Sequence, residues 1–165
     1  MKDKIKRYTK EIISFIILMS IFANIISLYK AQDLNNKAIT PFNLTLIDGS
    51  KYKFSKDKVT LIHFWATWCP TCKLEASNIQ TIANHYNVLT IAVKSGTNVD
   101  IQQYMMDKNL SYKVYNDKNG FLAQDYKVPA YPTTFIYNKK GELVFSEVGY
   151  TSTFGLWIRI WWASL

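Results

Sequence analysis

The pentapeptide Trp68-Cys69-Pro70-Thr71-Cys72 constrains this chain more than any other stretch, because of what flanks it. Before it, Thr60 to Trp65 (TLIHFW) reads as a continuous apolar run of strand length, the pattern of a strand covered on both faces. After it, Cys72, Ala76, Ile79, Ala83 and Tyr86 recur at i, i+4, i+7, i+11 and i+14, the spacing of one helical face. A buried strand therefore runs straight into a helix, with both cysteines at the junction. Two thiols separated by two residues in a first helical turn can close a small disulfide ring without moving the backbone. The Cys69 thiol meets the unpaired N–H groups of the helix start and the positive end of the macrodipole, about half a charge, which favours thiolate over thiol. Thiolate is the species that attacks a disulfide. Cys69 is expected to be the exposed thiol, and Cys72, a turn further in, to be covered and placed to attack the resulting mixed disulfide. Pro70 suits a first helical position because it has no N–H to leave unsatisfied.

Other uses of the pair have to be weighed. These are the only two cysteines in 165 residues, too few for a disulfide scaffold. A purely structural bridge across so short a loop would restrict the unfolded chain by less than the roughly 3 kcal/mol of a 15-residue loop. A metal site needs four ligands, or three and an open position, and only His63 and His85 are available to supplement the pair, with His85 far down the helix. Copper stays open, since thiolates are soft ligands.

The rest of the chain alternates strands and helices. Phe42, Leu44 and Leu46 alternate with polar residues up to Asp48-Gly49, and Tyr52 and Phe54 resume the alternation, which predicts an N-terminal hairpin. Val88 to Val93 is a second buried strand, completing a parallel, right-handed strand-helix-strand unit. Thr97 and Asp100 have capping-box spacing for a helix that runs to Lys108, with Asn109 stopping it. Val114 marks a short strand and Asn119 to Tyr126 a helical turn. Thr134 to Tyr137 and Leu143 to Val148, joined by Asn138-Lys139-Lys140-Gly141, predict an antiparallel pair. The last helix, about Thr153 to Ala163, is apolar nearly all round, with Arg159 its only charge. It is expected to be fully buried; the alternative is a membrane-resting or partner-binding face.

The amino terminus reads as a membrane device. Lys2, Lys4, Lys6, Arg7 and Lys10 precede an apolar run of 18 residues, Ile12 to Tyr29, broken only by uncharged polar residues. That length is near the lower limit for a bilayer span, and the basic flank favours the cytoplasm. An uncleaved anchor over 1–30 with a polar linker over 31–40 is expected; a cleaved signal peptide competes, but no clean cleavage site follows. The net charge of +8 divides evenly, since residues 1–30 carry six Lys/Arg against Asp3 and Glu11 and the remainder carries 14 Lys/Arg against 10 Asp/Glu. Without a dense basic patch, nucleic acid is not an expected partner.

The stretch FWATWCPTC after a buried strand, followed by VPAYPTTFIYNKKGELVF and a glycine, resembles the thioredoxin superfamily. The Trp-Ala-Thr-Trp form with an N-terminal anchor resembles its TlpA/ResA/DsbE branch. The resemblance covers 41–165 and implies an α/β, thioredoxin-like fold: a central mixed β-sheet flanked by helices, with an N-terminal β-hairpin extension and one transmembrane helix before it. It implies that Pro132 is a cis-proline facing the cysteines, followed by Thr133 as in the family. Tyr131 would offer backbone hydrogen bonds to an extended substrate segment, a form of strand addition. Trp68 would pack beside the thiol, and with Pro70, Thr71 and Thr133 complete the substrate face. Glu75, one turn after Cys72, stands where reductive members carry an acid implicated in proton transfer at the cysteine pair; a solvated helix glutamate is the alternative.

His63 departs from the family, which has Asp or Asn six residues before the first cysteine. Burial would favour a neutral ring able to accept the Cys72 proton, a nearby thiolate would favour imidazolium, and a satisfied core histidine is the third reading. CPTC occurs in cytochrome c maturation reductases of the DsbE type, which commonly carry an acidic residue where Thr133 stands. The tail from Gly149 to Trp162 is similar to thioredoxin-like proteins of copper-sensitivity suppressor operons. The implied activity is a membrane-anchored thiol-disulfide oxidoreductase that reduces protein disulfides. It would use the Cys69–Cys72 redox disulfide, with no other cofactor and no metal, and take electrons from a membrane thiol transporter of the DsbD or CcdA type. The implied place is the bacterial inner membrane, single-pass, with the C-terminal domain in the periplasm or extracytoplasmic space. A disulfide oxidase or isomerase, and a copper-binding or delivery module on the same thiols, are the alternatives.

Overall fold

A computed structural model describes residues 43–54 and 57–165, and of the N-terminal segment Tyr8, 10–15, Leu18, Met19 and Phe22, which are helical and exposed. The expected anchor falls mostly, and the linker over 31–40 wholly, outside the described residues. Among the described residues no helix is long and apolar enough to cross a membrane.

The N-terminal hairpin pairs β1 (Asn43–Thr45) with β2 (Lys51–Lys53), Leu44 opposite Tyr52. Its turn is held by Asp48, whose Oδ1 accepts the Ser50 amide at 2.9 Å and the Ser50 hydroxyl at 2.7 Å. Gly49 takes the left-handed φ of +84° that this turn requires. Leu46 and Tyr52 pack the hairpin onto Leu89 of the main sheet.

The main sheet has five strands in the order β5-β4-β3-β6-β7. They are β3 (Thr60–Trp65), β4 (Asn87–Val93), β5 (Lys113–Asp117), β6 (Thr133–Tyr137) and β7 (Leu143–Val148). β3 is parallel to β4 and β4 to β5, while β6 and β7 run antiparallel, so the sheet is mixed. The central strand β3 is buried at all six residues because it has a neighbour on either side and packing on both faces. On one face Leu61, Trp65 and Ile136 pack under α1 (Pro70–Ala83), α2 (Asn98–Asp107) and α4 (Thr153–Ser164), through Ile79, Ile82, Ile101, Leu156 and Ile160. On the other, Ile62, Phe64, Ile91, Val93, Phe135 and Tyr137 meet Ala123 of the short helix α3 (Phe121–Asp125). Thr97 and Asp100 cap α2 reciprocally, and Asn109, at φ +52°, follows its end.

Two expectations about helix faces need correction. The buried stripe of α1 is Cys72, Glu75, Ile79 and Ile82, rotated from the apolar series read in the sequence, in which Ala76 and Ala83 took the place of Glu75 and Ile82. α4 is not fully buried: Leu156, Ile160 and Ala163 face the core, while Phe154, Trp157, Ile158, Trp161 and Trp162 are exposed. Among the described residues, a last helix at the end of the chain has the sheet and α1 on one side and nothing to cover the other.

Candidate active site

Register places a row of polar residues across four strands. Thr90 on β4 is opposite His63 on β3, His63 is opposite Thr134 on β6, and Thr134 is opposite Glu147 on β7. Directly paired residues point to the same face of a sheet. Since His63 alternates with Leu61 and Trp65, the whole row faces α1, the helix that begins at the cysteines.

Cys69 is the N-cap of α1, in extended backbone conformation, and Pro70 opens the helix. Cys69 and Cys72 are bridged, with Cα atoms 5.3 Å apart. The Cys69 Sγ accepts the Cys72 amide at 3.1 Å, so one unpaired N–H of the helix start is aimed at the sulfur that would carry thiolate charge. The expected contrast in exposure is absent in this bridged state: Cys69 is 4% and Cys72 3% exposed. The loop before Pro132 covers the outer sulfur, bringing the Tyr131 carbonyl oxygen to 3.6 Å from the Cys69 Sγ. What distinguishes Cys69 is this polar setting rather than solvent contact.

The Tyr131–Pro132 peptide is cis, and the Pro132 carbonyl accepts the Gly149 amide at 2.8 Å. Trp68 is 57% exposed, and its indole N–H donates to the Lys94 carbonyl at 3.1 Å. Lys94 adopts a left-handed φ of +47°, uncommon for a residue with a side chain, at the end of β4. The Trp68 and Tyr131 rings meet edge to face at 5.8 Å, forming an aromatic lip beside the dithiol. Pro70 is exposed and Thr71 half-buried on the same rim. Thr133 is not on that rim: it is fully buried, and its hydroxyl donates to the Ala130 carbonyl at 2.7 Å, bracing the turn instead of facing substrate.

On the sheet face toward α1, His63 Nδ1 lies 2.9 Å from the Thr134 hydroxyl, a pair that can exchange donor and acceptor roles with the tautomer. Burial pushes the ring down to about 3, so His63 is neutral at physiological pH. Glu75 is fully buried on α1, and its Oε1 accepts the Thr151 amide at 3.1 Å. Its Oε2 has no hydrogen-bond partner. Burial, helped by the negative charge of Glu147, pushes this carboxyl up to about 8 against the lowering effect of the Thr151 amide. Glu75 is therefore largely protonated near neutrality, which the solvated-glutamate reading does not accommodate. Glu147 is raised by its own burial and lowered by Arg159, whose guanidinium lies 2.8 Å from its Oε2. Among the described residues no group of three or more His, Cys, Asp or Glu is placed to hold a metal ion.

Thr134, Glu147, Thr151 and Arg159 carried no role in the sequence reading. One signal for them was present: a lone arginine in an otherwise apolar helix needs an anionic partner when it is partly covered.

The family model for the AhpC/TSA family matches residues 30–146. A thioredoxin-like protein of Haemophilus influenzae is 26% identical over 164 residues, covering 97% of each chain. Sporulation thiol-disulfide oxidoreductase A of Bacillus subtilis is 26% identical over 150 residues, covering 86% of this chain and 91% of that protein. Among solved structures, the pneumococcal exposed lipoprotein thioredoxin of Streptococcus pneumoniae superposes with a TM-score of 0.64 at 28% identity, over 73% of this chain and 98% of that one.

Proposed function

We propose that this chain, which belongs to the AhpC/TSA family of thioredoxin-like proteins, reduces protein disulfides outside the cytoplasm while held at the membrane by its N-terminal segment. It is a thiol-disulfide oxidoreductase acting on protein thiols. The observation that carries the reductive direction is the buried, protonated Glu75 one turn below Cys72. A carboxyl of raised proton affinity is a strong base in its ionised minority form, which can take the Cys72 proton when that thiol must attack, and its protonated form can return one when the pair is reduced again. Extracytoplasmic placement is supported by the basic tip and apolar run of the sequence and by the exposed lipoprotein among its structural relatives.

In the reduced protein the Cys69 thiolate attacks one sulfur of a substrate disulfide. The substrate S–S bond breaks, its first sulfur leaves as a thiolate that takes up a proton, and a Cys69–substrate disulfide forms. Cys72 then loses its proton and attacks the Cys69 Sγ, forming the intramolecular bridge and releasing the second substrate sulfur, which is also protonated. Two electrons and two protons pass to the substrate. The Tyr131 carbonyl and the Trp68 ring position the incoming segment, and the neutral His63 keeps the space under the inner thiol free of a fixed cation. A membrane thiol transporter of the DsbD or CcdA type would restore the dithiol.

The test is to express the full chain as Cys72→Ala in a cell lacking the parent gene and identify what remains covalently attached to Cys69. Capture of extracytoplasmic thiol proteins, together with a reduction potential more negative than about −200 mV, supports the reading. A potential near that of a strong oxidant, about −120 mV, would make the protein an oxidase.

A further inference from the structure

The acid under the dithiol is joined to the last helix of the chain by a short series of contacts that the redox chemistry, as usually written, does not need. Thr151 lies between two carboxyl groups. Its amide donates to Glu75 at 3.1 Å, its hydroxyl lowers the proton affinity of Glu147, and Glu147 lies four residues before it on β7, opposite Thr134 in the row that faces α1. Glu147 in turn is clamped by Arg159, at 2.8 Å. Arg159 is anchored on α4 by a bond from its guanidinium to the Gly155 carbonyl at 3.0 Å. The two members of the ion pair are only partly covered, with side chains 25% and 16% exposed, whereas Glu75 is wholly enclosed.

We propose that Glu147 and Arg159 are positioning residues that govern the proton held on Glu75, so that the C-terminal helix sets how readily the dithiol exchanges protons. The groups around Glu75 make the case. On its own helix Cys72 shares its buried stripe; the sheet face toward α1 carries His63, neutral, and Thr134, which does not titrate; the loop before α4 offers an amide. Among the described residues Glu147 is the charged group that acts on Glu75, and Arg159 favours the charged form of Glu147 against its burial. With the ion pair intact, a fixed negative charge faces the carboxyl and favours its protonated form. Remove that charge and the carboxyl releases its proton more easily. Glu147 also reaches solvent, so it gives the buried acid a partly exposed neighbour.

This rests on Glu75 being the proton store for the exchange, and the experiment separates the two claims. In full-length protein, the protonated-carboxyl infrared band of Glu75, assigned with Glu75→Gln, is followed against pH for the parent, Glu147→Gln, Glu147→Asp and Arg159→Lys. Glu147→Gln, which keeps the size of the side chain, is expected to lower the Glu75 midpoint. Glu147→Asp and Arg159→Lys, which keep the charges, should restore most of it. The pH profile of mixed-disulfide release, measured with a synthetic disulfide peptide, should move by the same amount. A Glu75 midpoint unchanged in a folded Glu147→Gln protein overturns the proposal, as does a shifted midpoint with an unmoved release profile. If the band shifts and the release profile follows while no cellular substrate is trapped, the proposal stands and the assignment of physiological reductase fails.

Discussion

The two faces of the central sheet are built from alternate residues of the same strands, yet they are different environments. On the α3 side, Ile62, Phe64, Phe135 and Tyr137 make an aromatic and aliphatic layer, Phe64 and Phe135 meeting edge to face at 5.7 Å. On the α1 side, one residue away in each strand, the row Thr90, His63, Thr134, Glu147 crosses the sheet, with Glu75 above it. Buried polar groups reduce stability unless they are paired, and ionisable ones shift to their neutral forms. The α1 side tolerates this burden along one row, the row under the dithiol, while the rows on either side return to Leu61, Ile136 and Trp65. Both faces carry a hydrophobic layer, and His63 and Glu75 are buried within the one that faces α1.

Substitutions can test that separation. The largest effect is expected from Phe64→Ala, which should lower unfolding free energy by about 3–5 kcal/mol and leave the shape of the stability-pH curve alone; a changed shape would show that the faces are coupled. Next, Glu75→Gln should slow mixed-disulfide release by about a hundredfold in single-turnover measurements, without loss of stability at neutral pH. Retention of the parent rate would remove Glu75 from the chemistry.

The stability-pH curve itself should have two arms. Glu75 rises from an ordinary 4.5 to about 8 on folding, so the folded state holds its proton longer and stability falls as pH rises from 4.5 to about 8. His63 falls from 6.5 to about 3, so stability also falls as pH drops from 6.5 to about 3. Between 4.5 and 6.5 the two slopes oppose each other, and each arm can reach about 1.4 kcal/mol per pH unit. Glu75→Gln should remove the alkaline arm and His63→Asn the acid arm in chemical denaturation at a series of pH values; an arm that survives its own substitution belongs to another group. The smallest effect is expected from Trp68→Phe, which loses the bond to the Lys94 carbonyl and about 1 kcal/mol or less. Its release profile should keep the parent's pH dependence, and a displaced profile would extend the polar face out to the lip.

Much of the frame is legible in the sequence because it is local. β3 was read as Thr60 to Trp65 from its apolar run, α2 from the Thr97 and Asp100 cap, and the first hairpin from Asp48-Gly49. The cysteines at a helix start follow from spacing alone. What escaped was set by contacts distant in sequence. His63 meets Thr134, 71 residues away, and the Oε1 of Glu75 meets Thr151, 76 residues away. The stripe of α1 was misplaced because Ala76 and Ala83 are apolar and Glu75 is charged, so a hydrophobicity pattern rotates the helix away from the acid that the fold buries. α4 was misjudged for the converse reason: apolar residues all round a helix say nothing about how many neighbours are left to cover it.

The strand order has a consequence for how the protein comes into being. β3, α1 and β4 are consecutive, so the cysteines and the start of their helix can assemble from a short stretch of chain. β6, Thr151 and α4 come from the final third of the sequence and reach β3 and α1 only through long-range closure, the slow part of folding. Until they dock, Glu75 faces water as an ordinary carboxylate and Tyr131 is absent from the outer sulfur. A nascent or half-folded chain therefore carries the two thiols with Glu75 still an ordinary carboxylate, and the enclosed setting of the pair forms only once β6 and α4 have docked.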